Sequence, residues 1–278
     1  MKLQAVLPLV TYPDPNSDKV AANAVAVARQ LGASLNALAV NVDIPQVSSA
    51  LSRVLLDVPA MVREAKALSH DRGRHLLDTV VKQADQAGVE LTTGEIAAAP
   101  AMLGECAATS VRYFDFALIG WEGRNPGSRL MAEAVVFGSG RPTILLPDAS
   151  DVAALDHVAI AWDGSRVAAR AVADARPLLE KATKISILTV LDEKPLAESG
   201  IGERLADRLR KGGLPAEAHN VRATGRPIGT ALQDDALELG VNLLVMGGYG
   251  HSRVRDFVLG SATEGVLDEL RLPALLSH

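Results

Sequence analysis

The sequence repeats itself, and an internal repeat constrains a fold more than any single motif because both copies must build the same unit. At constant offset, Val20, Ala21, Ala22, Ala24, Val25, Ala28 and Leu31 fall on Val167, Ala168, Ala169, Ala171, Val172, Ala175 and Leu178. The apolar members have helical spacing, so each set forms one face of an amphipathic helix lying on a sheet. The order continues downstream. Gly120 and Gly123 fall on Gly247 and Gly250, and Glu133, Val135, Pro142 and Leu145 fall on Glu264, Val266, Pro273 and Leu276. The 278 residues are about right for two domains of roughly 140 each.

Each half reads as short β-branched or Leu-rich runs alternating with helical segments, which implies parallel strands joined by right-handed crossovers. In the second copy the expected strands are His157 to Trp162, Ile185 to Leu191, Glu217 to Ala223, Val241 to Met246 and Pro273 to Ser277. The expected fold is α/β, two tandem doubly wound parallel-sheet domains. Pro147 and the turn-forming Asp and Ser residues before Leu155 mark the boundary, giving domains 1–149 and 150–278 joined as a covalent pseudo-dimer. A composition 48% hydrophobic but only 3% aromatic suits helix-on-sheet packing better than an aromatic-rich groove.

Charge narrows the partners. With 28 Lys and Arg against 33 Asp and Glu, there is no basic surplus for a phosphate backbone, so nucleic acid is not expected as a partner. Cys106 is the only cysteine, which excludes an intrachain disulfide and a cysteine-clustered metal site and fits a reducing cytoplasm. Pro8 and Pro13 interrupt the apolar start, which reads as a strand, and no apolar run is long enough to span a membrane. His70 and His75 lie five apart, off the shared helix face a metal needs, and read as solvated. Cys106 reads as a small buried hydrophobe.

The segment Val245 to Asp268 carries the chemistry. Gly247 and Gly250 follow an apolar strand, so they sit at the carboxyl end of a parallel sheet, where open α/β folds bind ligands. Gly260 and Ser261 then open a helix, and glycine there lets a phosphate approach free main-chain N–H donors. Ser261 and Glu264 also form an S-x-x-E capping box, a reading compatible with phosphate contact. No lysine follows Gly260, and Arg253 stands where a dinucleotide fingerprint needs its last glycine, so neither a P-loop nor a Rossmann dehydrogenase is supported. Asp163, ending the first strand of the second copy, either accepts hydrogen bonds from a ribose hydroxyl or an adenine amine, or caps the following helix.

These residues resemble the universal stress protein family in its tandem form. The pattern G-x2-G-x9-G-[ST] of the ATP-binding branch is met by Gly247, Gly250, Gly260 and Ser261, and the first strand ends in Ala161, Trp162, Asp163, Gly164 and Ser165. The resemblance implies Rossmann-like, adenine nucleotide alpha hydrolase-like domains that bind ATP, with the need for Mg2+ left open. It implies that Asp163 meets the nucleoside and Val190 the adenine region, with Met246, Ala262 and Thr263 beside the loop. His251 lies inside that loop, either against phosphate or as a plain surface residue. The resemblance also implies pairing between the last strands, Pro142 to Leu146 and Pro273 to Ser277, and leaves homodimerisation open.

The first copy departs where phosphate should sit. Gly120 and Gly123 remain, but Arg129 and Leu130 replace Gly260 and Ser261, and Tyr12, Pro13, Asp14 and Pro15 replace Asp-Gly-Ser. It is expected to bind no ATP. Val58 to Ala87 is a long helical segment without an equal in the second copy, expected to cover a sheet edge or a cavity. Three functions stay open: a cytoplasmic nucleotide-binding stress or regulatory protein with at most slow hydrolysis, an interaction scaffold, and a weak ATPase.

Overall fold

The computed structural model describes residues 2–45, 57–123, 125–148, 151–192, 198–248 and 261–278. They form two compact units that divide between Ser139 and Gly140.

The first unit runs β1 (Gln4–Val10), α1 (Asp18–Leu31), β2 (Ser34–Val42), α2 (Val58–Ala87), β3 (Leu91–Ala98), α3 (Leu103–Val111), β4 (Phe116–Trp121) and α4 (Pro126–Gly138). Its strands lie in the order β3-β2-β1-β4 and pair in parallel. The repeated stripe on α1 is buried at Val20, Ala21, Ala24, Val25, Ala28 and Leu31, while Ala22 faces outward. Gly32 ends α1 in the left-handed region (φ 65°), and its N–H turns back to Ala28 and Arg29. Helix α2 starts at the Asp57 cap, which accepts from Ala60 N at 3.0 Å, and buries Ser69, Gly73, Leu76, Val80 and Ala84 as one stripe. That stripe lies against β2 and α1, so α2 covers a sheet face; of the two expectations, a sheet edge or a cavity, it does not meet the first.

The second unit runs β5 (Thr143–Pro147), β6 (His157–Ala161), α5 (Arg166–Asp174), α6 (Arg176–Leu179), β7 (Lys184–Val190), α7 (Ile201–Lys211), β8 (Ala216–Val221), α8 (Ile228–Glu238), β9 (Leu243–Gly247), α9 (Ser261–Asp268) and β10 (Ala274–Ser277). Its strand order is β5-β10-β9-β6-β7-β8. Among the described residues its strands pair in parallel except β5 with β10, where Ala274 faces Leu145 and Leu276 faces Thr143. The last strands thus pair as the family resemblance implied, and β5 packs with the second unit although it closes the first sequence repeat. The stripe read as one helix from Val167 to Leu178 breaks at Ala175 into α5 and α6. Pro177 lacks the N–H and clashes with the preceding turn. Val167, Ala168, Ala171, Ala175 and Leu178 are nevertheless all buried, and Ala169 is exposed as Ala22 is.

Both units cross two helices on small residues. A Cβ on Gly104 of α3 would stand 2.6 Å from the Ala134 Cβ of α4, and one on Gly229 of α8 would overlap the main chain of Gly265 and Val266 in α9. The second crossing is tighter because backbone meets backbone, which only a bare Cα permits. Gly229→Ala is expected to force the helices apart and destabilise the second unit by about 1–3 kcal/mol. Urea unfolding followed by circular dichroism checks this, and an unchanged midpoint would contradict the crossing.

Candidate functional site

In the second unit the chain leaves β6 toward β7 on one side, while β9 pairs on the other. That is a topological switch point, and the carboxyl ends of the three strands frame a crevice there. Ala161 ends β6, Val190 ends β7 and Gly247 ends β9, so the predicted residues from distant parts of the chain meet at one sheet edge. Trp162 N donates to Leu188 O at 2.8 Å and extends the β6 ladder by one rung.

Asp163 does not cap the helix. Gly164 turns the chain at φ 74°, and Ser165 is the N-cap of α5, its hydroxyl accepting from Ala168 N at 3.2 Å. The Asp163 carboxylate accepts from Ser165 N at 2.9 Å and so holds the turn.

Gly247 has a packing reason that sequence reasoning missed. A Cβ there would stand 2.7 Å from Ala168 N and from the carbonyl carbon of Val167, so the strand end lies directly on the first turn of α5. The matching Gly120 is pressed in the same way by the side chain of Val20 on α1. The first loop glycine therefore persists in both copies for helix-on-strand approach, with or without a ligand. Met246 and Thr263 have buried side chains and Ala262 is half-buried. Gly250, His251 and Gly260 lie outside the described residues, as does the side chain of Ser261, and with it the capping box.

The first unit fills the corresponding place with its own side chains. Asn125 caps α4, accepting from Gly127 N at 2.9 Å and Ser128 N at 3.2 Å, and donates to Asp14 O at 3.1 Å. Helix α4 thus begins a turn earlier than expected, and Arg129 and Leu130 lie inside it rather than at the loop junction. The Glu122 carboxylate accepts from Ser17 N at 2.6 Å, at the start of α1, and from Asn125 Nδ2 at 3.0 Å. Ser128 Oγ donates to Gly120 O. On the other side of β1, Ser69 of α2 shares a 2.7 Å hydrogen bond with Thr11 and accepts from Val42 N at 2.9 Å.

These local geometries are matched by likeness to known proteins. Residues 154–278 match the family model described as universal stress protein family. That match lies within the second half of the chain. The chain is 25% identical over 227 residues to universal stress protein Slr1230 of Synechocystis sp., covering 75% of this chain and 72% of that protein. Its fold resembles the crystal structure of a universal stress protein from Archaeoglobus fulgidus, with a TM-score of 0.71 at 18% identity over 98% of this chain and 95% of that one. A putative universal stress protein from Pseudomonas aeruginosa gives a TM-score of 0.59 at 13% identity, covering 99% and 92%.

The remaining sequence candidates fall away from the strand ends of the second unit. Cys106 is half-buried on α3 rather than buried. His70 pairs with Glu95 at 3.2 Å and His75 with Asp18 at 3.0 Å, and among the described residues no group of three His, Cys, Asp or Glu suits a metal ion. Arg210 of α7 pairs with Glu203 and Asp207 on the same helix. No helix among the described residues is long and apolar enough to cross a membrane.

Asp192, just past β7, was not legible as a site residue, because its partners are thirty residues away in a loop. Its carboxylate accepts from Ala223 N at 2.8 Å and Thr224 N at 3.0 Å, clamping the turn after β8, where Thr224 has φ 52°. The Thr224 and Ala223 N–H groups hold the carboxyl below its ordinary value. A depressed folded-state pKa lends stability that is complete above the ordinary carboxylate value and lost as pH falls through the lowered one. Stability of the domain is expected to fall with Asp192 protonation below ~pH 4, and Asp192→Asn to flatten that limb. Chemical unfolding across pH 2–6 checks it (~1 pH unit steps suffice).

Proposed function

We propose that the second unit binds an adenine nucleotide, ATP, at the carboxyl ends of β6, β7 and β9, and that the protein works as a nucleotide-responsive stress or regulatory protein. The carrying observation is the convergence of Ala161, Asp163, Val190 and Gly247 on the β6–β9 switch point. Asp163 accepts from a ribose hydroxyl through its carboxylate, which stands at the end of β6. Val190 meets the adenine at the end of β7, and Met246, whose side chain is buried, contributes main chain only. The phosphates lie on the segment from Gly250 and His251 to Gly260 and Ser261, followed by Ala262 and Thr263 in the first turn of α9. Mg2+ bridging the phosphates is compatible with this arrangement and not required by it.

The groups assigned here orient and neutralise, and none is assigned to proton transfer, so the reading is a binder with slow turnover or none. The first unit takes no nucleotide, because Glu122, Asn125 and Ser69 already engage the donors at the corresponding place. That same filling favours a second reading, in which the first unit serves as a scaffold.

Calorimetry on the full chain is expected to give one ATP per chain, and Gly260→Leu to remove the heat. Two sites per chain, or binding that survives Gly260→Leu, would overturn the assignment.

A further inference from the structure

Two ties hold α9 against α8 in the second unit, and one of them has no counterpart in the first copy. A Cβ on Gly229 of α8 would overlap the main chain of Gly265 and Val266, so the helices touch backbone to backbone at that point and α9 can tilt only about it. Ser261 lies four residues to one side of Gly265 and Glu269 four residues to the other, two arms of about 6 Å each at the helical rise. A tilt that moves one end moves the other by a like amount. Whatever grips the chain from Glu269 to Arg271 therefore also sets where Ser261 stands.

The first grip is Gln233, 1% exposed, whose Nε2 donates to Glu269 O at 2.8 Å while its Oε1 accepts from Arg271 N at 2.8 Å. The first copy holds the matching carbonyl, Gly138 O, through Arg112 Nη2 at 3.0 Å, so this grip belongs to the fold. The second grip is ionic. Asp234 Oδ1 accepts from Arg271 Nη2 at 2.7 Å and Asp234 Oδ2 from Arg226 Nη1 at 2.6 Å, and the Arg271 hydrogen bond holds the carboxyl below its ordinary value. Arg226 in turn donates from Nε to Ala223 O at 3.2 Å and from Nη2 to Arg222 O at 3.2 Å, in the loop that Asp192 clamps from the end of β7. Counting from the two helix crossings, Asp234 matches Thr109 and Arg271 matches Gly140, and neither of those residues can form an ion pair. A lone exposed ion pair fixes little, but one carboxylate shared by two arginines fixes both.

We infer that Asp234 is a positioning residue for phosphate recognition, an inference that rests on the nucleotide reading above. Through Arg271 it holds the far end of α9, and so it fixes the direction in which the near end presents its N–H groups to the phosphates. It touches no ligand itself. The copy that lacks the bridge is the one whose helix begins on its own Asn125 cap, with no anion to receive.

The test measures ATP and adenosine affinity by calorimetry for the wild-type chain, Asp234→Asn and Arg271→Gln, with adenosine read by displacement of ATP where its own heat is small. The wild type is expected to prefer ATP. Each variant is expected to weaken ATP about tenfold and to leave adenosine within about twofold, because adenosine has no phosphate to lay on α9. A general loosening of the unit would instead weaken both ligands alike. Undiminished ATP affinity in either variant, a parallel loss of ATP and adenosine, or equal binding of the two by the wild type would overturn the inference alone. A wild-type chain that binds no ATP overturns the nucleotide reading and this inference with it.

Discussion

The close approach of a strand end to a helix start, Gly247 on Val167 and Ala168, positions everything else at the candidate site. A main-chain contact of that kind leaves no room for a side chain, so it sets the distance between β9 and α5 with little freedom. Once α5 is seated, Ser165 and Asp163 must turn the chain within two residues, and Gly164 supplies the left-handed step that permits it. The acidic group at the switch point is a consequence of that seating. Gly120 against Val20 shows the same device in the first unit, where the chemistry at the strand end is different. The glycine thus belongs to the architecture of the fold, and the residues downstream of it decide what the edge can bind.

Much of the fold was legible because periodicity is local. Val58 to Ala87 was read as one helical segment and is one helix, since its apolar stripe, its capped start and the closing Gly88 all lie within the segment. The strands were readable within a residue or two for the same reason. The break at Ala175 escaped because the apolar stripe runs through it, burying Ala175 and Leu178 on either side, while the interruption comes from Pro177, a backbone effect that side-chain periodicity does not register.

The site was legible only in part. Asp163, Val190 and Gly247 could be assigned to strand ends because strand ends and D-G-S turns have local signatures. The hydrogen bonds that decide their roles were not: whether Asp163 caps a helix or holds a turn depends on which residue reaches Ala168 N, and Ser165 does. Glu122 on Ser17 N joins residues more than a hundred positions apart, and Ser69 on Val42 N joins a helix to a strand across an intervening segment. No spacing rule brings such pairs together. The start of α4 illustrates the same limit, since aligning Leu130 with Ser261 assumed equal helix starts, whereas Asn125 captures the N–H groups a turn earlier.

Buried main-chain donors need partners in either copy of a duplicated unit, and this links the two strand-end corners. A unit that loses its ligand must supply replacements from its own side chains or carry the cost of unpaired groups. The first unit supplies them by extending α2 past the point where α7 begins, which brings Ser69 onto Val42 N and Thr11, and by placing the Glu122 carboxylate at the start of α1. A carboxylate on a helix N-terminus is chemically what a phosphate would be there, an anion on oriented N–H groups. The second unit makes neither substitution among its described residues, and unpaired buried atoms remain in both copies, Asn41 Oδ1 and Trp121 Nε1 in the first and Thr189 Oγ1 and Trp162 Nε1 in the second. Helix length therefore separates the two copies more sharply than the glycine pattern does: α2 runs on far enough to bring Ser69 onto Val42 N and Thr11, whereas α7 begins at Ile201 with no equivalent turn over the strand ends.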